Sequence, residues 1–139
     1  MLTVSIENTE ARVPVTLMQL EGELEASSYE ALIKQTAGLY ESGSRDLLLD
    51  LSLLTFMSST GLVALHSMAL IMRGEKLPDG KSGWSAFHSV AREVESGSGP
   101  EEHFKLLSPQ ERVKKTLEIS GFSQILDIFD DQELALASY

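Results

Sequence analysis

Leu2, Val4 and Ile6 alternate with polar residues, as do Val13, Val15 and Leu17 with Gln19 after them, so the chain opens on two half-buried strands separated by Glu7–Glu10. Their proximity predicts a hairpin. Gly22 is expected to close the second strand, and Ser27 or Ser28 to cap a helix whose inward positions Tyr29, Leu32, Ile33, Thr36, Leu39 and Tyr40 recur at helical spacing as far as Gly43. Leu47–Leu51 is a short, nearly continuous apolar run, the pattern of a central strand covered on both faces. After the turn Phe56-Met57-Ser58-Ser59-Thr60-Gly61, a second helix carries Leu62, Leu65, Ala69 and Met72 on one stripe, broadened by Val63 and Leu70, with Gly74 at its C′ position.

Residues 74–100 break this pattern, being rich in Gly, Ser and charge between Pro78 and Pro100, and read as an insertion. Trp84, Phe87, His88, Ala91 and Val94 share one face of a short helix within it, either a lid on the domain itself or a segment that docks on a partner. Order then returns. Phe104–Leu107 predicts a strand, and Ser108-Pro109-Gln110-Glu111 combines an N-cap, an N1 proline and a capping-box glutamate. That helix presents Val113, Thr116 and Leu117 and stops at Gly121. Ile125, Ile128 and Phe129 form a last short strand or buried turn, and Asp130-Asp131-Gln132-Glu133 is a second capping box opening a terminal helix with Leu134 to Ala137. There is no internal repeat.

At 139 residues the chain fits one domain, residues 1–139, with a single core. The net charge of −10, from 21 acidic and 11 basic side chains, changes the choice of partners: a polyanion would be repelled, and no Lys/Arg stripe is there to bind phosphates. Nucleic acid is therefore excluded as a partner and anionic membrane surfaces are disfavoured. The N-terminus has no secretory pattern, and the longest apolar segment, Leu62 to Met72, falls short of the roughly 20 residues that span a bilayer, so no membrane insertion is expected. Cysteine is absent, which removes disulfides, thiolate metal sites and cysteine nucleophiles and agrees with a reducing compartment.

The chemistry concentrates where the central strand turns into the second helix. Ser58, Ser59 and Thr60 place three hydroxyls at a helix start, where backbone N–H groups lack intrahelical partners and the macrodipole is positive. A phosphate formed there would be held by geometry already present, which makes Ser59 the leading candidate. The ordinary role of Ser59 or Thr60 at such a position is a plain N-cap. Ser58 and Thr60 are read as capping or interface residues, and Asp50 at the strand end as a residue that orients the turn, faces a partner or serves a structural hydrogen-bonding role. His66 is read as a buried structural histidine, and His88 and His103 as surface residues. Three scattered histidines without cysteine or a His-Glu-x-x-His sequence support no metal site. No Gly-x-x-x-x-Gly-Lys sequence supports a nucleotide cofactor. A serine hydrolase would need Gly-x-Ser-x-Gly around Ser59, and residue 57 is Met. No catalytic residue and no cofactor are assigned.

Three segments in order, Gly22-Glu23-Leu24-Glu25 before a helix, Leu49-Asp50-Leu51-Ser52 leading to Ser58-Ser59-Thr60-Gly61-Leu62, and Leu117-Glu118-Ile119-Ser120-Gly121-Phe122, resemble the STAS domain of anti-sigma-factor antagonists. The resemblance implies an α/β fold with a mixed sheet of four to five strands and helices packed against it. It also implies a bacterial, cytoplasmic signalling protein that is not an enzyme. Its partner would be an anti-sigma factor with serine-kinase activity, bound through Ser58, Ser59, Thr60, Gly61 and Leu62 and released when Ser59 is phosphorylated. A separate serine phosphatase would restore binding. The family turn commonly reads Asp-Ser-Ser/Thr-Gly, so Ser58 is a departure, and the insertion at 74–100 is another. A non-switching interaction or scaffold subunit of a signalling or membrane-transport complex is the alternative.

Overall fold

The structure is a computed structural model that describes residues 2–74 and 102–139. The expected insertion, with Trp84, Phe87 and His88, lies outside these residues apart from Gly74. Five strands form one sheet in the order β1-β2-β3-β4-β5: β1 (Leu2–Glu10), β2 (Pro14–Leu24), β3 (Leu47–Met57), β4 (Phe104–Leu107) and β5 (Ile128–Phe129). β1 and β2 are the expected antiparallel hairpin; every other pairing is parallel. The sheet is therefore mixed.

The helices divide between its faces. α1 (Ala26–Glu41), α2 (Ser59–Met72) and α3 (Glu111–Ser120) pack on one face, where Leu32, Leu65, Met68, Val113 and Leu117 meet Met18, Leu20, Leu47, Leu49, Leu51 and Leu106 in the main core. The short α4 (Gln132–Ala137) covers part of the other face, placing Ala135 on Val15, Leu48 and Leu107. The alternation of Leu47 and Leu49 with Leu48 across the two cores confirms β3 as the central, doubly covered strand. α2 is apolar almost all round and is buried from Gly61 to Ala69, with His66 inside it as expected.

Several boundaries differ from the sequence reading, and pairing or capping explains each. The connector expected at Glu7–Glu10 is strand, because Asn8, Thr9 and Glu10 face Thr16, Val15 and Pro14; the turn is residues 11–13. Gly22 does not end β2. It lies inside the strand at φ +109, between the two register shifts against β3, a conformation that glycine adopts without strain. α1 starts at Ala26 with Glu25 as N-cap rather than Ser27 or Ser28; the Ser28 side chain instead accepts from the Glu25 N–H at 3.2 Å, completing a capping box. α3 starts at Glu111 with Gln110 as N-cap, since Ser108 has φ +49 and its backbone N–H donates to the Phe129 carbonyl. It ends at Gly121 in the left-handed conformation, as predicted. α4 is capped by Asp131 rather than Asp130, through N–H groups of Glu133 at 2.8 Å and Leu134 at 3.2 Å.

The last residues clasp the second face. Lys105, buried on β4, donates to the Ser138 carbonyl at 3.0 Å and hydroxyl at 2.9 Å, and its Nζ lies 4.6 Å from the Tyr139 ring centre. Tyr139 Oη donates to the Leu47 carbonyl at 2.5 Å. Burial, with Asp46 nearby, pushes the Tyr139 phenol well above its ordinary value. A raised folded-state pKa means this contribution is complete below the unfolded value and is lost as pH rises past it. Tyr139→Phe is therefore expected to cost about 1 kcal/mol at neutral pH, a deficit that shrinks above about pH 10 in urea unfolding compared across pH.

Candidate functional site

The turn between β3 and α2 is fixed by its own backbone. Ser58 takes an extended conformation, φ −85 and ψ 177, and acts as N-cap, its Oγ accepting from the Gly61 N–H at 3.3 Å. Its N–H donates to the Leu24 carbonyl at 3.0 Å and its carbonyl accepts from the Leu62 N–H at 3.2 Å, so the turn is tied to the end of β2 and into α2. One hydroxyl of the three is thus committed to capping. Ser58→Ala is expected to cost about 1 kcal/mol, read as a lower denaturant midpoint with an unchanged slope.

Ser59 is the first residue of α2 and is exposed, while Thr60 is half-buried. The N–H groups of these first-turn positions have no acceptor within the helix, and the positive end of a 14-residue helix points outward there. Gly61 and Leu62 lie inside the fold. The five residues singled out from sequence therefore come together in two roles: Ser58, Ser59 and Thr60 form the accessible rim, and Gly61 and Leu62 seat the turn on the core. A Cβ on Gly61 would fall 2.7 Å from Met57 Cγ and 2.8 Å from the Leu24 carbonyl oxygen, so the close approach requires glycine.

Asp50 does not reach this rim as a free carboxylate. Its Oδ2 accepts from Gln19 Nε2 at 3.1 Å and its Oδ1 from the Ser52 N–H at 2.9 Å, the structural role among those considered for it, and it lies within β3 rather than at the strand end. Gln110 Nε2 donates to the Ser52 carbonyl at 2.8 Å, joining the start of α3 to β3. Tyr29 Oη and Ser67 Oγ, 3.2 Å apart, link α1 to α2. His103 is at the surface as read, and its Nδ1 lies 2.9 Å from Asp46 Oδ1. Among the described residues no three His, Asp or Glu side chains gather as metal ligands, and no helix is long and apolar enough to cross a membrane.

Two residues that sequence reasoning did not single out adjoin the turn. β4 accompanies β3 only as far as Asp50, opposite Leu107, so beyond it β3 continues with β2 as a ribbon whose β3 edge is uncovered, flanked by β1 only as far as Gly22. On that ribbon Leu54 and Met57 are buried, while Leu53 is 43% and Phe56 37% exposed, facing the exposed Glu21 and Glu23 in register. The ribbon leads directly into Ser58. The exposed carboxylates and large apolar groups give it the character of a contact surface with an acidic border.

Comparison with known proteins follows the same geometry. The family model described as "Mlab, STAS domain" matches residues 8–78, a little over half of the 139-residue chain, and spans β2, α1, β3 and α2 with the turn between them. No curated protein matches the chain. Among solved structures, an anti-sigma factor antagonist from Mycobacterium paratuberculosis is 17% identical with a TM-score of 0.68, covering 99% of this chain and 93% of its own. The Bacillus cell fate determinant SpoIIAA in its phosphorylated form is 17% identical with a TM-score of 0.54, covering 96% of each chain. The anti-sigma factor antagonist SpoIIAA in its unphosphorylated form is 16% identical with a TM-score of 0.50, covering 96% and 93%. At such identities the structures establish likeness of fold, and the family model, matching through the turn that carries Ser59, establishes that this chain belongs to the STAS family.

Proposed function

We propose that this chain is a cytoplasmic anti-sigma-factor antagonist, one domain over residues 1–139 with an insertion at 74–100, that binds an anti-sigma factor with serine-kinase activity through the turn Ser58–Leu62 and is released when that partner phosphorylates Ser59. The observation that carries the reading is the placement of Ser59: exposed, first in α2, and flanked by Ser58, whose hydroxyl is already committed to capping. Structural neighbours that are anti-sigma factor antagonists, and the cell fate determinant SpoIIAA in a phosphorylated form, support it. The chain contributes the acceptor and the contact surface; the phosphoryl transfer belongs to the kinase, and its reversal to a separate serine phosphatase.

The switch follows from charge at a helix terminus. A phosphate on Ser59 would add roughly −1.5 to −2 charges where free N–H groups and the dipole accommodate them, so the fold persists. A partner packed on the same turn would have to desolvate that charge, so the complex dissociates. The test is phosphosite mapping on the protein isolated from its native host under phosphatase inhibition, across growth and stress. Stress-dependent phosphate on Ser59 supports the reading; full peptide coverage without phosphate there, under every condition, rejects it. The cap that Ser58 makes on α2 also fits a second reading: a non-switching interaction or scaffold subunit of a signalling or membrane-transport complex, in which Ser58 to Thr60 only cap the helix. On that reading Ser59 variants bind every native partner equally.

A further inference from the structure

We propose that the free edge of β1 pairs with the same edge of a second copy of this chain, antiparallel about a two-fold axis at Val4, joining two five-stranded sheets into one. Among the described residues β1 has β2 as its sole strand neighbour, leaving one row of backbone groups along a nine-residue strand without a ladder partner. Edge strands are usually guarded by proline, charge or a bulge. None of these occurs from Leu2 to Ile6, and the register against β2 runs unbroken from Leu2 to Glu10.

The stretch is complementary to itself. Leu2 and Val4 rest half-buried against the main core, Ile6 on the same row is 39% exposed, and Thr3 and Ser5 are exposed on the other side. With Val4 facing Val4 of the second copy, Leu2 faces Ile6 and Thr3 faces Ser5. Apolar then meets apolar, and the exposed Ile6 is covered by Leu2 of the second copy. A slip of one residue in either direction would set Leu2 and Val4 against polar side chains. A pairing centred nearer the hairpin turn, on Glu7, would set the two Glu7 carboxylates against each other, whereas the pairing at Val4 leaves Glu7 and Glu10 outside the facing stretch.

Charge and size set the strength of this contact. Five facing residues make a strip about 17 Å long, well below the area of a permanent interface, so association is weak and reversible. Each copy carries −10, so association strengthens as salt screens their repulsion. Its occurrence is independent of Ser59.

Sedimentation of the full chain tests the pairing through two charge variants. Thr3→Lys with Ser5→Lys makes each copy less acidic, which by net charge alone would favour association. In the proposed register it places two lysine pairs face to face, and the dimer is expected to weaken severalfold. Thr3→Lys with Ser5→Glu leaves the net charge at −10 but creates two Lys–Glu pairs across the axis, and the dimer is expected to tighten severalfold at low salt. Far-UV circular dichroism and thermal melting confirm that both variants fold. Because the chain contains no cysteine, Val4→Cys should crosslink copies on oxidation, and Ser5→Cys, whose counterpart is offset along the strand, should crosslink far less. A chain that stays monomeric at about 1 mM protein in high salt overturns the proposal. So does a dimer indifferent to the charge variants, or equal crosslinking at both cysteine positions.

Discussion

Under the proposed switch, Ser59→Asp is expected to weaken binding of the proposed anti-sigma partner by about 100-fold or more while leaving the fold as stable as before or slightly more so. The two effects have opposite signs because they draw on one charge in two surroundings. In the free chain, a carboxylate at the first position of α2 meets unpaired N–H groups and the positive end of the dipole, worth about 0.3–1 kcal/mol of stability. In the complex the same carboxylate is taken from water against a surface complementary to a neutral hydroxyl, and an uncompensated buried charge costs about 3–5 kcal/mol. Ser59→Ala, which leaves the turn neutral, should bind like the unmodified chain and resist the kinase. Titration calorimetry against the partner recovered with the wild-type chain measures both. Equal affinity of wild type, Ser59→Asp and Ser59→Ala would reject the switch and leave the scaffold reading; a weakened Ser59→Ala as well would point to a direct hydrogen bond from the hydroxyl.

Leu53 and Phe56 were not legible as exposed strand residues because the expected strand ended at Leu51 and Phe56 was read as part of the turn, whereas β3 runs on to Met57; an apolar pattern alone does not show where a strand or its cover ends. What exposes them is the length of β4, four residues that stop opposite Asp50. The central position of Leu47–Leu51, the helical stripe of α1 and the hydroxyl turn were legible because burial there follows the local pattern, whereas α2 is buried almost all round rather than along one stripe. The boundaries were less so. Asn8 to Glu10 are polar, and only their partners on β2 make them strand; Glu25 supplanted two serines as the α1 cap because Ser28 serves as the third residue of the same capping box. In each case a contact across the fold, or a reciprocal pair of side chains, decided what single-residue preference left open.

Gly61→Ala is expected to destabilise the fold by about 1–3 kcal/mol, the usual cost of forcing atoms into a filled core. α2 is helical at this position, and alanine alone would favour the helix by about 1 kcal/mol. The contacts outweigh that preference. The added methyl meets a side-chain atom of Met57, which can move, and the Leu24 carbonyl, which is bonded to the Ser58 N–H and cannot retreat without breaking the tie between β2 and the turn. Relief must therefore come from α2 lifting away from the sheet at its first turn, which shifts Ser59 along with the cap. Two readouts follow. The denaturant midpoint falls, and phosphorylation of Ser59 by the partner slows by more than the small unfolded population explains, because the acceptor is displaced in the folded chain. Met57→Ala together with Gly61→Ala distinguishes the two contacts: if the side-chain clash dominates, the double variant recovers part of the loss. If the carbonyl contact dominates, as the rigidity of that backbone implies, the double variant is less stable still, by the roughly 2–5 kcal/mol of a methionine removed from the core.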